Sequence, residues 1–260
     1  MLLSSMANLS LLNKSIKKIL SALPATAEVF LVGGAIRDIL LKRKVKDWDL
    51  VVRKIPLIRL KIWLAKVGKV DTKGEKWGVL TVKIGKQSID VALPRKEKAK
   101  GTGKYFDFEI TAKPNLPIKA DLQRRDFTIN TLAWDIKKGK LIDPFGGVQA
   151  LRQKQIITVG KPDVRFTEDH SRILRALRLA AELDFKIEPK TWVSMKKTIN
   201  TFPKLNIRPK IWQMEINKIS KQQTKPEEHS TVRERFNRLC QKAGLSRVAG
   251  CRFAAKKYGY

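Results

Sequence analysis

The chain has 260 residues, enough for one large domain or two small ones, and at 43% hydrophobic residues it has the material for a packed core, which excludes global disorder. Its formal charge is +31, from 55 Lys and Arg against 24 Asp and Glu. An excess of that size points to a polyanionic partner, with nucleic acid first and an anionic membrane surface second. Two cysteines (Cys240, Cys251) and two histidines (His170, His229) show no C-x-x-C or H-E-x-x-H spacing, so no structural zinc site is expected. Two lone cysteines fit a reducing compartment, and no segment approaches the length of a membrane span.

Leu12, Ile16, Ile19 and Leu20 recur at helical spacing and predict a short amphipathic helix at the N-terminus, with a transit peptide as the weaker reading. The stretch Val29 to Val52 then predicts strand, Gly-Gly turn, short helix, loop and strand. Val29 to Val32 is an apolar run stopped by Gly33 and Gly34, and Ala35 to Leu41 suits one or two helical turns. Asp47 to Val52 reads as the second strand. Residues two apart on a strand share a face, so Asp47 and Asp49 project together while Trp48 faces the other way, into a core. Two adjacent carboxylates repel unless a cation sits between them, and such an oxygen pair suits Mg²⁺. The glycines let backbone approach a phosphate closely, with free N–H groups at a helix start. Arg37 and Asp38 follow on that helix. The physical reading is a site for a nucleoside triphosphate and Mg²⁺.

G-G-A-I-R-D followed by D-W-D resembles the signature of the nucleotidyltransferase superfamily that includes DNA polymerase beta. More closely it resembles the class II, bacterial-type tRNA nucleotidyltransferases (the CCA-adding enzymes) and the related poly(A) polymerases. The resemblance runs from about Glu28 to Lys190 in order and spacing. It implies an α+β fold: a nucleotidyltransferase head with a mixed sheet flanked by helices, followed by an all-α neck and body. The C-terminal region is short beside the body and tail domains of full-length members.

After Val52, Pro56 opens a helix through about Val67 with Leu57, Leu60, Leu64 and Val67 on one stripe. Gly78 to Ile84 and Gln87 to Leu93 are β-rich runs joined by Gly85-Lys86, a two-residue hairpin turn. Asp90, between Ile89 and Val91, is either a third carboxylate beside Asp47 and Asp49 or an edge-strand charge. Lys96 to Lys113 is basic and contains glycine, and reads as a mobile loop. In the family a flexible loop here helps switch nucleotide specificity.

Asp121 to Asn130, D-L-Q-R-R-D-F-T-I-N, sets two arginines beside an aspartate, which makes poor core and good phosphate or ribose contacts. It matches the family's R-R-D-F-T-I-N. The resemblance implies that Asp126 accepts from the ribose hydroxyls, and that Arg124, Arg125 and Asn130 help position the triphosphate. Leu132 to Ile136 and Lys140 to Ile142 predict another hairpin, and Asp143 to Gly147 a turn closing the catalytic domain, where related enzymes have a hinge.

From Gln149 onward helices are expected in place of strands. The stretch Asp163 to Leu183 contains a helix with Thr167 as N-cap and Ile173, Leu174, Leu177 and Ala181 as its buried stripe. Asp169 and Arg172, three apart, are neighbours on a helical face, and the bland reading is an ion pair. The resemblance assigns E-D-x-x-R another role: Asp169 and Arg172 present hydrogen bonds to the Watson–Crick edge of CTP or ATP, Glu168 orients Arg172, and Arg175 and Arg178 lie near phosphate or RNA. Further helices are expected around Trp192, Ile199, Phe202, Ile211, Trp212 and Ile216. Ser220 to Ser230 reads as a linker and Val232 to Leu239 as helical. Residues from Thr201 to Tyr260 carry 14 Lys or Arg against 4 Glu, and R-F-A-A-K-K-Y-G-Y at the end mixes cations with aromatics, which suits RNA or a basic tail.

The expected domains are a catalytic head over 1–147, a helical neck over 148–220 and a basic RNA-binding segment over 221–260. The expected activity is addition of CMP and/or AMP from CTP and ATP to the 3′ end of tRNA, as full CCA addition or a partial CC- or A-adding version, with Asp47, Asp49 and Asp90 catalytic, Asp47 and Asp49 holding Mg²⁺, and Gly33, Gly34 and Arg37 at the phosphates. A poly(A) polymerase and a non-catalytic RNA-binding protein are the alternatives. A cytoplasmic location without membrane contact follows from the same reading.

Overall fold

The structure is a computed structural model that describes residues 13–105, 107–202, 205, 207–220 and 226–245. The chain divides into two compact units. The first comprises residues up to Glu97, Ile110–Arg125 and Ile129–Val148; the second comprises Lys98–Glu109, Asp126–Thr128 and the chain from Gln149 onward.

The first unit is built on a seven-stranded sheet. Its strands are β1 (Glu28–Val32), β2 (Trp48–Arg53), β3 (Lys69–Asp71), β4 (Val79–Ile84), β5 (Gln87–Ala92), β8 (Ala133–Asp135) and β9 (Lys140–Ile142), in the order β3-β4-β5-β2-β1-β8-β9. Only β2 and β5 run parallel, so the sheet is mixed. The central strands are apolar on both faces: Val29 to Val32 and Leu50 to Val52 are all buried. One face packs Phe30, Val32, Val51 and Ala133 against Ile118 and Leu122 of α4 (Ile118–Gln123). Buried Ile16 and Ile19 of α1 (Lys14–Ala22) and Leu60 and Leu64 of α3 (Leu57–Ala65) add further core. Asn13 starts α1 by accepting the Ile16 N–H at 2.8 Å. Leu12 lies outside the described residues.

Several expectations need correcting. The second strand begins at Trp48, so Asp47 sits just ahead of it, and Trp48 is half-buried rather than in a core. Half of the expected mobile loop at 96–113 lies in a two-stranded ribbon of β6 (Arg95–Ala99) and β7 (Phe108–Ala112). In β6, Arg95 and Glu97 turn inward and Lys96 and Lys98 outward, a period-2 alternation that basic composition masks.

The second unit is helical: α6 (Pro162–Glu168), α7 (Ser171–Leu183), α8 (Pro189–Thr201), α9 (Pro209–Ser220) and α10 (Pro226–Ala243), with α7 packing against α6, α9 and α10. The helix expected to start after Thr167 begins only at Ser171, and Pro162–Glu168 ahead of it form a separate helix. Asp169 is extended, and its carboxylate accepts the Ser171 N–H at 2.8 Å, a local bond that competes with continued helix. Thr167 is not an N-cap; it lies inside α6 with its hydroxyl donating to the Asp163 carbonyl at 2.7 Å. Two-residue strands β10 (Gln155–Ile156) and β11 (Lys186–Ile187) pair in parallel where no strand was expected. Of the expected linker at 220–230, Ser220 ends α9 and 226–230 start α10; residues 221–225 and the aromatic-basic end at 252–260 lie outside the described residues. The short helix α5 (Gly147–Arg152) starts where Asp143 accepts the Gly147 and Val148 N–H groups at 2.7 and 2.9 Å. Among the described residues no helix is long and apolar enough to cross a membrane.

Candidate active site

In the first unit the site is set by strand register. Asp49 on β2 lies between Val32 on β1 and Asp90 on β5. On the β1 side the chain turns at Gly33 into α2 (Gly34–Leu40). Gly33 has φ +72° and ψ −136°, a conformation reserved for glycine, and a Cβ there would lie 2.6 Å from Arg125 Nη1 and 3.8 Å from Asp49 Oδ2. The glycine therefore opens room in which Asp49 and Arg125 meet. Its N–H is not free, since it donates to the Leu132 carbonyl at 3.2 Å. That corrects the expectation of a free N–H at this position.

On the other side of Asp49, the Thr81 hydroxyl donates to Asp90 Oδ1 at 2.6 Å, which fixes the carboxylate. Burial pushes the Asp49 carboxyl up to about 6, and the Asp90 and Asp47 charges push the same way while Arg125 opposes them. Asp47 is exposed. Strand register thus places Asp90 beside Asp49, while Asp47 lies just ahead of β2 and acts on Asp49 through its charge. Among the described residues no three His, Cys, Asp or Glu side chains are gathered closely enough to hold a metal on their own. Asp49 and Asp90, side by side and in mutual repulsion with Asp49 reluctant to ionise, are oxygen donors that suit a divalent cation.

The arginines beside this group are anchored by Asp121, which is fully buried. Its Oδ1 accepts from Arg124 Nε at 2.9 Å, its Oδ2 accepts from Arg125 Nη2 at 3.2 Å, and Arg124 Nη1 also donates to Glu97 at 2.8 Å. Burial opposes ionisation of Asp121, but the two guanidiniums outweigh it and hold the carboxyl below its usual range. Arg37 donates to Asn130 Oδ1 at 2.9 Å and pairs with Asp38, and Arg125 Nη1 donates to the Asn130 carbonyl at 3.4 Å. Arg37, Arg125 and Asn130 form one connected set. Arg124 is turned toward Asp121 and Glu97 instead. Asp121 was read only as part of its motif; the signal for it was a carboxylate three and four residues ahead of two arginines, whereas Glu97 meets Arg124 from 27 residues away.

In the second unit the motif residues cluster at the start of α7. Asp169 and Arg172 are buried. Arg172 Nη1 donates to Glu168 Oε2 at 2.6 Å and to the Arg165 carbonyl at 2.8 Å, so Glu168 orients Arg172. The guanidinium of Arg172 lies 5.6 Å from the Phe108 ring centroid. Asp126 is also buried; its Oδ1 accepts the Phe127 N–H at 2.8 Å and its Oδ2 accepts from Arg175 at 2.9 Å. Arg175 stacks near Tyr105, 5.9 Å from its centroid. The His170 N–H donates to the Gly103 carbonyl at 3.0 Å, and a Cβ on Gly103 would meet the His170 ring at 2.6 Å. Arg178, which the resemblance places near phosphate or RNA, is engaged by two carboxylates. It is buried between Glu182 at 2.8 Å and Glu215 of α9 at 2.6 Å, an ion-paired brace between helices. Tyr105, Phe108 and Glu215 carried no signal in sequence, because each acts through a contact distant along the chain.

The profile of the Poly A polymerase head domain matches residues 29–157. The CCA-adding enzyme of Lactobacillus helveticus is 37% identical over 184 residues, covering 69% of this chain and 43% of that protein. That of Anoxybacillus flavithermus is 39% identical over 168 residues, covering 63% and 39%. Among solved structures, the Bacillus stearothermophilus CCA-adding enzyme in complex with CTP superposes with a TM-score of 0.65 at 29% identity, over 80% of this chain and 49% of that one. A tRNA nucleotidyltransferase complexed with a primer tRNA and an incoming ATP analogue does so with 0.68 at 31%, over 89% and 61%. The chain thus spans less than half the length of the curated relatives it matches. From the mixed sheet, the carboxylates on adjacent strands and these likenesses together, the chain belongs to the class II tRNA nucleotidyltransferase and poly(A) polymerase family, carrying its head domain across residues 29–157.

Proposed function

We propose that the chain transfers CMP and AMP from CTP and ATP to the 3′ end of tRNA, without a nucleic-acid template, releasing pyrophosphate. The observation that carries this is the place of Asp49, with the Gly33 turn and Arg125 on one side and Asp90 in register on the other. In the reaction the RNA 3′ oxygen attacks the α-phosphorus, its proton leaves, and the bond to pyrophosphate breaks. Attacking and leaving oxygens must lie in line. A carboxylate flanked by a cation on one side and a second carboxylate on the other has the polarity that displacement needs.

Asp47 and Asp49, with Asp90 beside them, would hold Mg²⁺, which supplies charge neutralisation at the phosphates and eases ionisation of the attacking hydroxyl. Arg125 and Arg37, tied to one another through Asn130, bind the triphosphate, while Arg124 and Asp121 hold Arg125 in place. Asp126 accepts from the ribose hydroxyls. Asp169 and Arg172 present an acceptor and a donor fork to the base edge, with Glu168 fixing the fork. Arg178 holds α7 to α9 and takes no part in chemistry. The neighbours solved with CTP and with tRNA and an ATP analogue support these substrates.

The test is to incubate the chain with Mg²⁺, tRNA lacking its 3′-terminal nucleotides and each nucleotide separately or together, then sequence the products. Products ending in C, C-C or C-C-A support the reading. Long A-tails on any RNA establish the poly(A) polymerase alternative, which the head-domain match also accommodates. No extension by the wild-type chain refutes both.

A further inference from the structure

Beyond Asp90 the sheet continues through β4 and β3, and its register places a second set of groups beside the carboxylates. Asp49, Asp90, Thr81 and Asp71 form one cross-strand row on β2, β5, β4 and β3. Two residues along each strand, Ser88, Lys83 and Lys69 form the next row, on the same face because side chains two apart project together. The Thr81 to Asp90 hydrogen bond of 2.6 Å confirms that this face carries the row. Over the β1, β2 and β8 part of the sheet the same face is closed by Ile118 and Leu122 of α4. Over β5, β4 and β3 it is open: Ser88, Asp90, Lys83, Lys69 and Asp71 are all exposed. Asp71 is turned to its own neighbour, with Oδ2 3.6 Å from Lys73 Nζ.

Direction follows from the chemistry already assigned to Asp49, on which this inference rests. If the triphosphate occupies the Gly33 and Arg125 side, the nucleophile must arrive from the opposite, β5 side, because displacement at phosphorus is in line. The strand that delivers the nucleophile must then leave across β4 and β3. We propose that the exposed Lys69–Lys83 face of β3 and β4 is the track for the sugar–phosphate backbone of the acceptor RNA, whose 3′ terminus ends at Asp90. Neighbouring strands are about 4.8 Å apart, so the two lysines are spaced to meet successive backbone phosphates of a single strand. The Ser88 hydroxyl supplies a neutral donor between them and the carboxylates. Polar, sequence-blind contacts of this kind position a strand without reading its bases.

The experiment measures binding of tRNA lacking its 3′-terminal nucleotides to the full chain by fluorescence anisotropy, without nucleotide, across a salt series. It compares wild type, Lys69→Ser/Lys83→Ser, Lys69→Arg/Lys83→Arg, and a control that removes two exposed lysines of α1, Lys17→Ser/Lys18→Ser. The serine pair at 69 and 83 is expected to weaken RNA binding roughly threefold or more and to flatten the slope of log K against log salt by about 1.4, the value for two single-strand phosphate contacts. The arginine pair keeps wild-type binding, and CTP affinity is unchanged throughout. Equal loss in the α1 control, an unchanged slope, or a fall in CTP affinity with RNA affinity intact overturns the track. Wild-type chain that binds RNA through these lysines yet transfers no nucleotide overturns the catalytic reading and leaves the track standing.

Discussion

Arg175 of α7 holds the carboxylate of Asp126 in a 2.9 Å ion pair, while the other oxygen of that carboxylate accepts the Phe127 N–H at 2.8 Å. Burial disfavours the Arg175 charge, but Asp126, Glu215 and Asp169 more than restore it. The carboxylate proposed to read the ribose is thus aimed by α7, the helix that also carries Arg172 of the proposed base-reading pair.

Loss of that aim should appear as lost sugar selectivity. Arg175→Met is expected to lower the preference for CTP over dCTP by about 10- to 100-fold, the equivalent of one charge-assisted hydrogen bond of roughly 1.5–3 kcal/mol. The measurement is kcat/KM for both nucleotides. An unchanged ratio would show that Asp126 needs no support from Arg175.

Asp49 should make the metal-free protein sensitive to pH. Its carboxyl is raised from 3.8 to about 6, chiefly by burial and then by Asp90 and Asp47. A raised carboxyl binds its proton more tightly in the folded state, so the contribution is stabilising while protonated and fades as pH climbs from about 4 through about 6. With a chelator present, Asp49→Asn is expected to be more stable than wild type at pH 7 by on the order of 1–3 kcal/mol, and nearly equal to it below pH 4. Denaturant melts at the two pH values decide it; equal differences at both would remove the titration from the account.

Asp121 has the opposite sign. Its carboxyl is held low by Arg124 and Arg125 against the burial that opposes ionisation. The stability it confers is present above the ordinary carboxylate range and is lost as pH falls through its depressed value. Asp121→Asn leaves two guanidiniums without their shared carboxylate, and a loss of about 3–5 kcal/mol is expected at pH 7. A variant melting with wild type would mean that Glu97 and Asn130 suffice to seat the arginines.

How much of this was legible in the sequence depended on distance along the chain. The Gly33-Gly34 turn and the β4–β5 hairpin around Gly85-Lys86 were readable because each rests on local spacing, whereas the place of Asp90 beside Asp49 depends on the pairing of β2 with β5 and was left open between two readings. The break between α6 and α7 was not readable, because apolar periodicity runs through Glu168-Asp169-His170 while a single side-chain bond from Asp169 to Ser171 interrupts the helix. The 96–113 ribbon was hidden by lysines that alternate outward from inward-facing Arg95 and Glu97. Arg178 looked like a phosphate ligand because its partner Glu215 stands 37 residues away.

Motif matching treats Gly33 and Gly34 alike, but the structure separates them. Gly33 has φ +72°, and a Cβ there would press on Arg125 Nη1 at 2.6 Å; Gly34 has an ordinary helical backbone, and its added Cβ would meet only the flexible end of Arg37 at 3.2 Å. Gly33→Ala therefore imposes backbone strain of about 1–3 kcal/mol and drives Arg125 from the place where it faces Asp49. Gly34→Ala gains helix propensity and asks Arg37 to shift by a few tenths of an ångström. Nucleotide transfer is expected to fall at least roughly 100-fold in Gly33→Ala, since a small misplacement of a positioning group has a cost of that order. In Gly34→Ala it should stay within about tenfold of wild type. Thermal melts should fall for the first variant alone. If both variants lose transfer equally while only one is destabilised, the role given to Arg125 is wrong and the turn itself, rather than the room it opens, is what the phosphates require.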